Sequence, residues 1–230
     1  MIITRGDLKF EIVEGDGFAV EETLDRNLYR IDPKPGMNIL DIGAYKGFVS
    51  IPAAKAGAHV RAYEPRPTSF KAFMRNVDLN DVTNIDARKE GVWSREVDTI
   101  SVDNNYVTEE EVLKHGSLGQ DGGCAVQCAL GKPNRDGQPA HLVSFAEALG
   151  DKHWDIVKMD CEGSEFDILI NARDTQLQQI DFLTMEVHGW LGIGRIGDML
   201  TRLRRIFNIE GQNELIHGNL ENANFYLRRK

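Results

Sequence analysis

Apolar and polar positions follow one clear rhythm over the middle of the chain. "NILDIG" (37–43 region) is a short apolar run of buried-strand type, and "YKGFVSIPAAKAG" after it reads as a helix closed by Gly57. "AHVRAYEP" is a second strand. "TSFKAFMRNVDLN" is a second helix, with Phe70, Phe73, Met74 and Val77 on one stripe. Strand, helix, strand, helix with short links predicts an α/β fold built on a doubly wound, mostly parallel sheet. Upstream, Leu8 to Val13 alternates, "EGDG" follows, and Phe18 to Val20 is apolar again. That pattern predicts an N-terminal hairpin turning through Gly-Asp-Gly, and "DPKPG" ends it. Residues 1–36 are therefore expected to be an N-terminal hairpin extension to a main domain at 37–230.

The rhythm breaks between 83 and 143. "TNIDARKEGVW" predicts a third strand and a loop, while "EVDTISVDN" and "CAVQCAL" predict two additional strands flanking the acidic helical piece "TEEEVLKHG". A β-rich insertion over about 95–143, beside the binding edge of the sheet, is the expectation. The rhythm then resumes with "SFAEALGDK" as a capped helix, "WDIVKMDCEG" as a strand ending in carboxylates and "SEFDILINA" as a helix. "DFLTMEVHG" is a strand, "RIGDMLTRLRRI" an amphipathic helix and "NANFYLRR" a last strand.

Composition adjusts this picture only slightly. A chain of 230 residues with 41% hydrophobic and 27% charged positions can bury one full core. The formal charge of −9 argues against a protein that grips a nucleic-acid backbone. No nucleic-acid partner is expected. No apolar run is long enough to span a bilayer and the first residues lack a signal-type apolar core, so no membrane partner and a cytoplasmic location are expected. Cys124 and Cys128 stand four apart and Cys161 follows Asp160, with no second pair and no His-x-x-x-His, a pattern of free thiols rather than of zinc.

The stretch "LDIGAYKG" carries the first chemical signal. Asp41 closes an apolar strand and Gly43 and Gly47 follow in the turn. Either packing or a ligand lying across the turn would require such glycines. Glu64, at the end of the next strand, can accept both hydroxyls of a ribose. Together these positions point to a nucleoside cofactor. Lys46 could reach a phosphate, but Asp41 aimed at the same turn would repel a pyrophosphate. S-adenosyl-L-methionine, with an ammonium, a sulfonium and a ribose, suits an acidic turn better.

With these residues in place the chain resembles the FkbM-family methyltransferases over about residues 37–230. The matching positions are Asp41, Gly43, Ala44 and Gly47; Glu64 and Pro65; Asn76 and Asn80; Lys158, Asp160, Glu162, Gly163 and Glu165; and Glu186 with His188. Tyr45 departs from the family's usual Asn, and Cys161 and Ser164 replace what are commonly Val and Ala. The resemblance implies a class I methyltransferase (Rossmann-like) fold and S-adenosyl-L-methionine as donor. It also implies mostly O-methylation, often of sugar hydroxyls in glycans or natural products, and so a small-molecule or glycan acceptor as partner. Asp41, Gly43, Ala44, Gly47, Glu64 and Asn80 are the cofactor-binding positions this implies.

Methyl transfer to a hydroxyl needs in-line placement and a proton acceptor. Asp160 and Glu162 end one strand and Glu186 and His188 another, where sites lie in this architecture. An ion pair with Lys158 is the structural alternative for Asp160 and Glu162. Glu165 is read equally as a helix-start residue. His188 is the expected base, with Asp160 next, and Glu186 and Glu162 complete the catalytic set. Trp93 and Trp190 could wall an acceptor sugar or simply pack. Asp160, Glu186 and His188 could also hold Mg²⁺ or Mn²⁺, a divalent cation that is possible but not favoured, so no metal ligand is assigned. The rival readings are an NAD-dependent oxidoreductase or epimerase, which should show a three-glycine fingerprint absent here, and a non-catalytic cofactor-binding module.

Overall fold

A computed structural model describes residues 1–94, 97–102, 138–161, 163–188, 193–212 and 222–230. Two short strands, β1 (Ile2–Arg5) and β2 (Leu8–Glu11), pair antiparallel at the N-terminus. The hairpin therefore turns at Gly6 and Asp7, one strand earlier than the alternation suggested. Phe18 to Val20 belongs instead to α1 (Gly17–Val20), which runs on into a π-helical turn, Glu21–Asp25. The reason is tertiary: Asp16, just before α1, is drawn to Lys46 and Tyr45 of the main domain.

The central sheet contains β3 (Asn38–Ile42), β4 (His59–Tyr63), β5 (Ile85–Arg88), β9 (Trp154–Met159), β10 (Ile180–His188), β11 (Phe207–Gln212) and β12 (Asn222–Arg229). Its order is β11-β12-β10-β9-β3-β4-β5. The five strands from β5 to β10 run parallel, and β12 enters antiparallel between β10 and β11. This is the class I methyltransferase (Rossmann-like) arrangement. A small sheet is formed by β6 (Gly91–Trp93), β8 (Gln138–Ser144) and β7 (Val97–Val102); β7 lies within 95–143, while β6 occupies the stretch after β5 expected to be a loop. The "CAVQCAL" and "TEEEVLKHG" segments lie outside the described residues.

Helices α2 (Ser50–Lys55), α3 (Pro67–Leu79), α4 (Phe145–Leu149), α5 (Ser164–Asn171), α6 (Asp174–Leu177) and α7 (Ile193–Leu203) connect the strands. Pro67 opens α3, where a missing N–H costs nothing. Ser144 caps α4, its Oγ accepting from Glu147 N–H at 3.1 Å, as the "SFAEAL" pattern predicts.

Strand alternation divides the core in two. Leu40, Ile42, Val157, Met159, Leu183, Met185 and Val187 form one cluster with residues of α4, α5 and α7. Ile39, Ile156, Phe182 and Tyr226 form the other with Phe10, Val20, Phe48, Ile51 and Phe73. The N-terminal segment thus completes one face of the sheet. On that same face, toward the carboxyl ends of the strands, the apolar residues give way to Asp41, Lys158, Thr184, Glu186 and His188. Among the described residues no helix is long and apolar enough to cross a membrane.

Candidate active site

The turn after β3 is closed by protein groups. The N–H groups of Gly43 and Ala44 both donate to the Tyr63 carbonyl at 2.9 Å, and Gly47 N–H donates to Ala44 O at 2.8 Å. Tyr45 N–H donates to Glu64 Oε2 at 2.8 Å. Four amides that could have cradled a pyrophosphate are spent inside the chain, which disfavours a dinucleotide. The glycines answer the packing half of the question posed by the sequence. A Cβ on Gly43 would collide with the Asp160 carbonyl, and one on Gly47 with the Phe73 ring; both residues have φ near +84°. Gly43 lets the first turn lie against the end of β9, which brings Asp41 and Asp160 into one site.

Asp41 is fully buried. Its Oδ2 accepts from Ser50 Oγ at 2.6 Å, and its Oδ1 lies 3.3 Å from Lys158 Nζ. Lys158 also donates to Gly43 O at 2.6 Å and stands 3.7 Å from Asp160 Oδ2. Burial alone would lower its pKa, but Asp41 and Asp160 raise it on balance, so the ammonium is kept. The ion pair with Lys158, the structural alternative to a site role, is present for Asp160, and Asp41 shares it. Lys46, which might have met a phosphate, instead pairs with Asp16 at 2.5 Å.

Glu64 is 7% exposed at the end of β4. Its two oxygens accept from Tyr45 N–H and from Arg66 N–H, each at 2.8 Å. Each oxygen retains a second lone pair, enough for two ribose hydroxyls. Burial pushes its pKa up to about 7 against the pull of those two amides. A buried carboxylate short of donors fits the ribose of a nucleoside cofactor.

At the next strand ends, Asp160, Glu186 and His188 each present a ligand atom within 4.8 Å of the others. His188 Nδ1 lies 3.2 Å from Glu165 Oε1, and Nε2 lies 3.8 Å from Asp160 Oδ1. Glu165, fully buried, also accepts from Cys161 N–H at 2.8 Å and Gly163 N–H at 2.7 Å. It is both the helix-start residue and the support of His188. Burial, then the charge of Asp160, pushes Glu186 up to about 7. Burial would raise Asp160 too, but Lys158, His188 and the Tyr29 hydroxyl hold it below the usual range. Glu162 and Trp190 lie outside the described residues, and Trp93 is buried.

Two site residues escaped the sequence reading. Tyr29 Oη donates to Asp160 Oδ2 at 2.7 Å and lies 3.4 Å from Glu186 Oε2. Glu22 is pushed up to about 8 by burial and by the charges of Glu186 and Asp160. Both come from the N-terminal segment, where no periodicity or spacing marks them. Conversely, Asn80 leaves the cofactor set. Its Oδ1 accepts from Lys9 N–H at 2.9 Å and its Nδ2 donates to Lys9 O at 2.6 Å, while Asn76 Oδ1 accepts from Glu11 N–H at 2.7 Å. The paired asparagines hold β2 to α3, because both ends of the Asn80 amide are already used.

Against known proteins, the methyltransferase FkbM domain model matches residues 41–213. The chain belongs to the FkbM methyltransferase family. Membership carries with it S-adenosyl-L-methionine as the cofactor. A ubiquinone biosynthesis O-methyltransferase from Methylocella silvestris is 28% identical over 139 residues, 56% of this chain and 50% of that protein. A ribosomal protein L11 methyltransferase from Desulfitobacterium hafniense is 36% identical over 70 residues, 30% of this chain and 21% of that protein. The matches thus span half or less of these relatives. A tRNA (uracil-54, C5)-methyltransferase from Pyrococcus abyssi, solved with S-adenosyl-L-homocysteine, shares the fold with TM-score 0.50 and 12% identity over 100% of this chain and 44% of that one. The fibrillarin pre-rRNA processing protein of Methanococcus jannaschii also has TM-score 0.50 at 12% identity, covering 100% and 82%.

These structures correct one expectation. Net charge argues against nucleic acid as a partner, yet this framework serves a tRNA methyltransferase and a pre-rRNA processing protein. A whole-chain charge averages over the surface and does not describe the field at one site.

Proposed function

We propose that this FkbM-family protein transfers a methyl group from S-adenosyl-L-methionine to a hydroxyl of its acceptor, with a sugar or natural-product hydroxyl as the leading candidate. The observation that carries this reading is the Glu165–His188–Asp160 chain at the ends of β9 and β10. When bound, the cofactor supplies an electrophilic methyl on a sulfonium. Glu64 binds the ribose, and Asp41 and Lys158 fix the turn beside it. With its Nδ1–H donated to Glu165, which orients the imidazole, His188 offers Nε2 as the base that takes the hydroxyl proton. Asp160, 3.8 Å from Nε2, stabilises the imidazolium formed. A relative named as an O-methyltransferase supports oxygen as the acceptor atom. The Lys158 ammonium already stands 3.7 Å from Asp160 Oδ2, so a divalent cation is not assigned.

Calorimetry with S-adenosyl-L-methionine and with NAD, then a screen of sugars, nucleotide sugars and phenols, tests the reaction class. His188→Ala should lower turnover about 10²–10⁴-fold with cofactor affinity within twofold. The wild-type rate should fall as pH drops and the base is protonated, and should survive EDTA. Binding of NAD alone would reject the reading. Unchanged turnover in His188→Ala would move the base elsewhere, and rescue of an EDTA-inactivated enzyme by Mg²⁺ would recast these residues as ligands.

A further inference from the structure

Tyr29 precedes the span matched by the family model, yet its hydroxyl reaches the middle of the site. Several features show how the chain delivers it there. Asn27 and Arg30 both adopt positive φ, +48° and +52°, conformations uncommon for residues other than glycine. They turn residues 27–31 into a tight loop. Asn27 Oδ1 accepts from Ile31 N–H and its Nδ2 donates to Ile31 O, both at 3.0 Å, and Arg30 N–H donates to Asn27 O at 2.8 Å. The fully buried Tyr226 donates from Oη to Leu28 O at 2.6 Å, fixing the residue beside Tyr29 to β12. The Arg30 guanidinium sits 3.9 Å over the Tyr226 ring. Farther upstream, Asp16 is tied to Lys46 and Tyr45, and β2 to Asn76 and Asn80. Positive φ at two positions of a loop this firmly stapled fixes where Tyr29, buried beside Leu28, points.

The buried end of Tyr29 meets two carboxylates. Its single O–H donates to Asp160 at 2.7 Å, with Glu186 at 3.4 Å, and the Lys158 ammonium lies 5.0 Å from the ring centroid. We propose that Tyr29 is a positioning residue of the active site: its hydroxyl holds the Asp160 carboxylate in the orientation His188 requires and separates it from Glu186, so that the N-terminal segment completes a site the family core leaves open. The inference rests on the methyltransferase reading above for what the site does, but not for the contact itself.

Among the described residues, Asp160 faces Lys158, His188, Tyr29, Glu186 and Glu22, while Glu186 faces Asp160, His188, Glu165, Lys158 and Glu22. Of these, Tyr29 is the neutral donor to Asp160, so its removal changes hydrogen bonding without changing charge. Losing a hydrogen bond to its ionised form should raise the Asp160 midpoint, because the charged carboxylate loses a stabilising donor.

The test compares wild type with Tyr29→Phe, which keeps the ring and removes only the hydroxyl. Carboxyl ¹³C NMR titration of the cofactor-free proteins reads the Asp160 midpoint, and the variant's midpoint is expected to move upward. Kinetics on a confirmed acceptor should show turnover down about tenfold to a hundredfold, with KM for S-adenosyl-L-methionine within twofold. An unmoved Asp160 midpoint would overturn the proposal whatever the activity. So would an unchanged turnover. Asn27→Gly covers the case in which Tyr29→Phe fails to fold. It alters an exposed loop residue, removes the staple to Ile31, and should shift the same midpoint in the same direction by a smaller amount. No shift there overturns the proposal as well. A wild type that binds no S-adenosyl-L-methionine in calorimetry would reject the methyltransferase reading, while the NMR comparison would still decide the role of Tyr29.

Discussion

Tyr45 shows how a single side chain can serve two purposes. It sits at φ +51°, where asparagine is the more usual occupant, and in the family motif asparagine is the usual residue. The cost of tyrosine there is offset by an Oη donation to Asp16 at 2.6 Å and an edge contact with Phe48 at 5.8 Å between ring centroids. Its N–H meanwhile orients Glu64. Glu64 is the residue on which cofactor binding should depend most. Glu64→Ala is expected to weaken S-adenosyl-L-methionine by about 1.5–3 kcal/mol, the range of hydrogen bonds to a charged group. Calorimetry that returned wild-type affinity would remove Glu64 from the ribose pocket.

Elements act here through how they are joined. β2 is an edge strand, and the side-chain amides of Asn76 and Asn80 on α3 satisfy its outward backbone groups as a neighbouring strand would. Asn80 Nδ2 also donates to Asn76 O at 2.7 Å, which links the two. Asn80→Ala should therefore cost about 1–3 kcal/mol of stability, since the Lys9 groups lose their partners. It should raise hydrogen exchange across residues 1–12 and leave S-adenosyl-L-methionine affinity close to wild type. A loss of affinity without faster exchange would return Asn80 to the cofactor site. β10 illustrates the opposite coupling. Its alternation places Leu183, Met185 and Val187 in one core cluster and Thr184, Glu186 and His188 on the site face, so one strand both builds the core and arms the site.

At the scale of the molecule, the site gathers more negative charge than Lys158 and His188 balance. Glu22, Glu64 and Glu186 are pushed up to about 8, 7 and 7, well above their ordinary value. The linkage follows directly. These groups hold protons in the folded chain at pH values where the unfolded chain has released them, so the stability they contribute is full below about pH 4.5 and is lost as pH rises through about 7 to 8. The cofactor-free protein should melt several degrees lower at pH 8.5 than at pH 6. Glu22→Gln, neutral at both pH values, should shrink that difference, and saturating S-adenosyl-L-methionine, which brings positive charge, should shrink it further. Melting curves that rise with pH over this window would contradict the charge imbalance.

The order of elements, the parallel sheet and the strand-end carboxylates were legible in the residues because they depend on local period and on turn chemistry. A run such as "NILDIG" before a glycine turn, or Glu186 and His188 two apart at the end of an apolar strand, carries its geometry in its spacing. The family match over residues 41–213 rests on the same local signals. Tertiary structure alone decided which of those residues face a ligand and which face the chain. Asp41 and Lys46 turned inward to Lys158 and Asp16, Asn80 went to Lys9, and Glu165 became the partner of His188, each because a group distant in sequence arrived with a complementary charge or donor. Tyr29 and Glu22 were invisible for the same reason. Their segment has no period to read, and their role exists only where the N-terminal chain crosses the ends of β9 and β10, 131 and 157 positions from Asp160 and Glu186 for Tyr29. Contacts of that separation are set by packing and electrostatics in three dimensions, which no local pattern encodes.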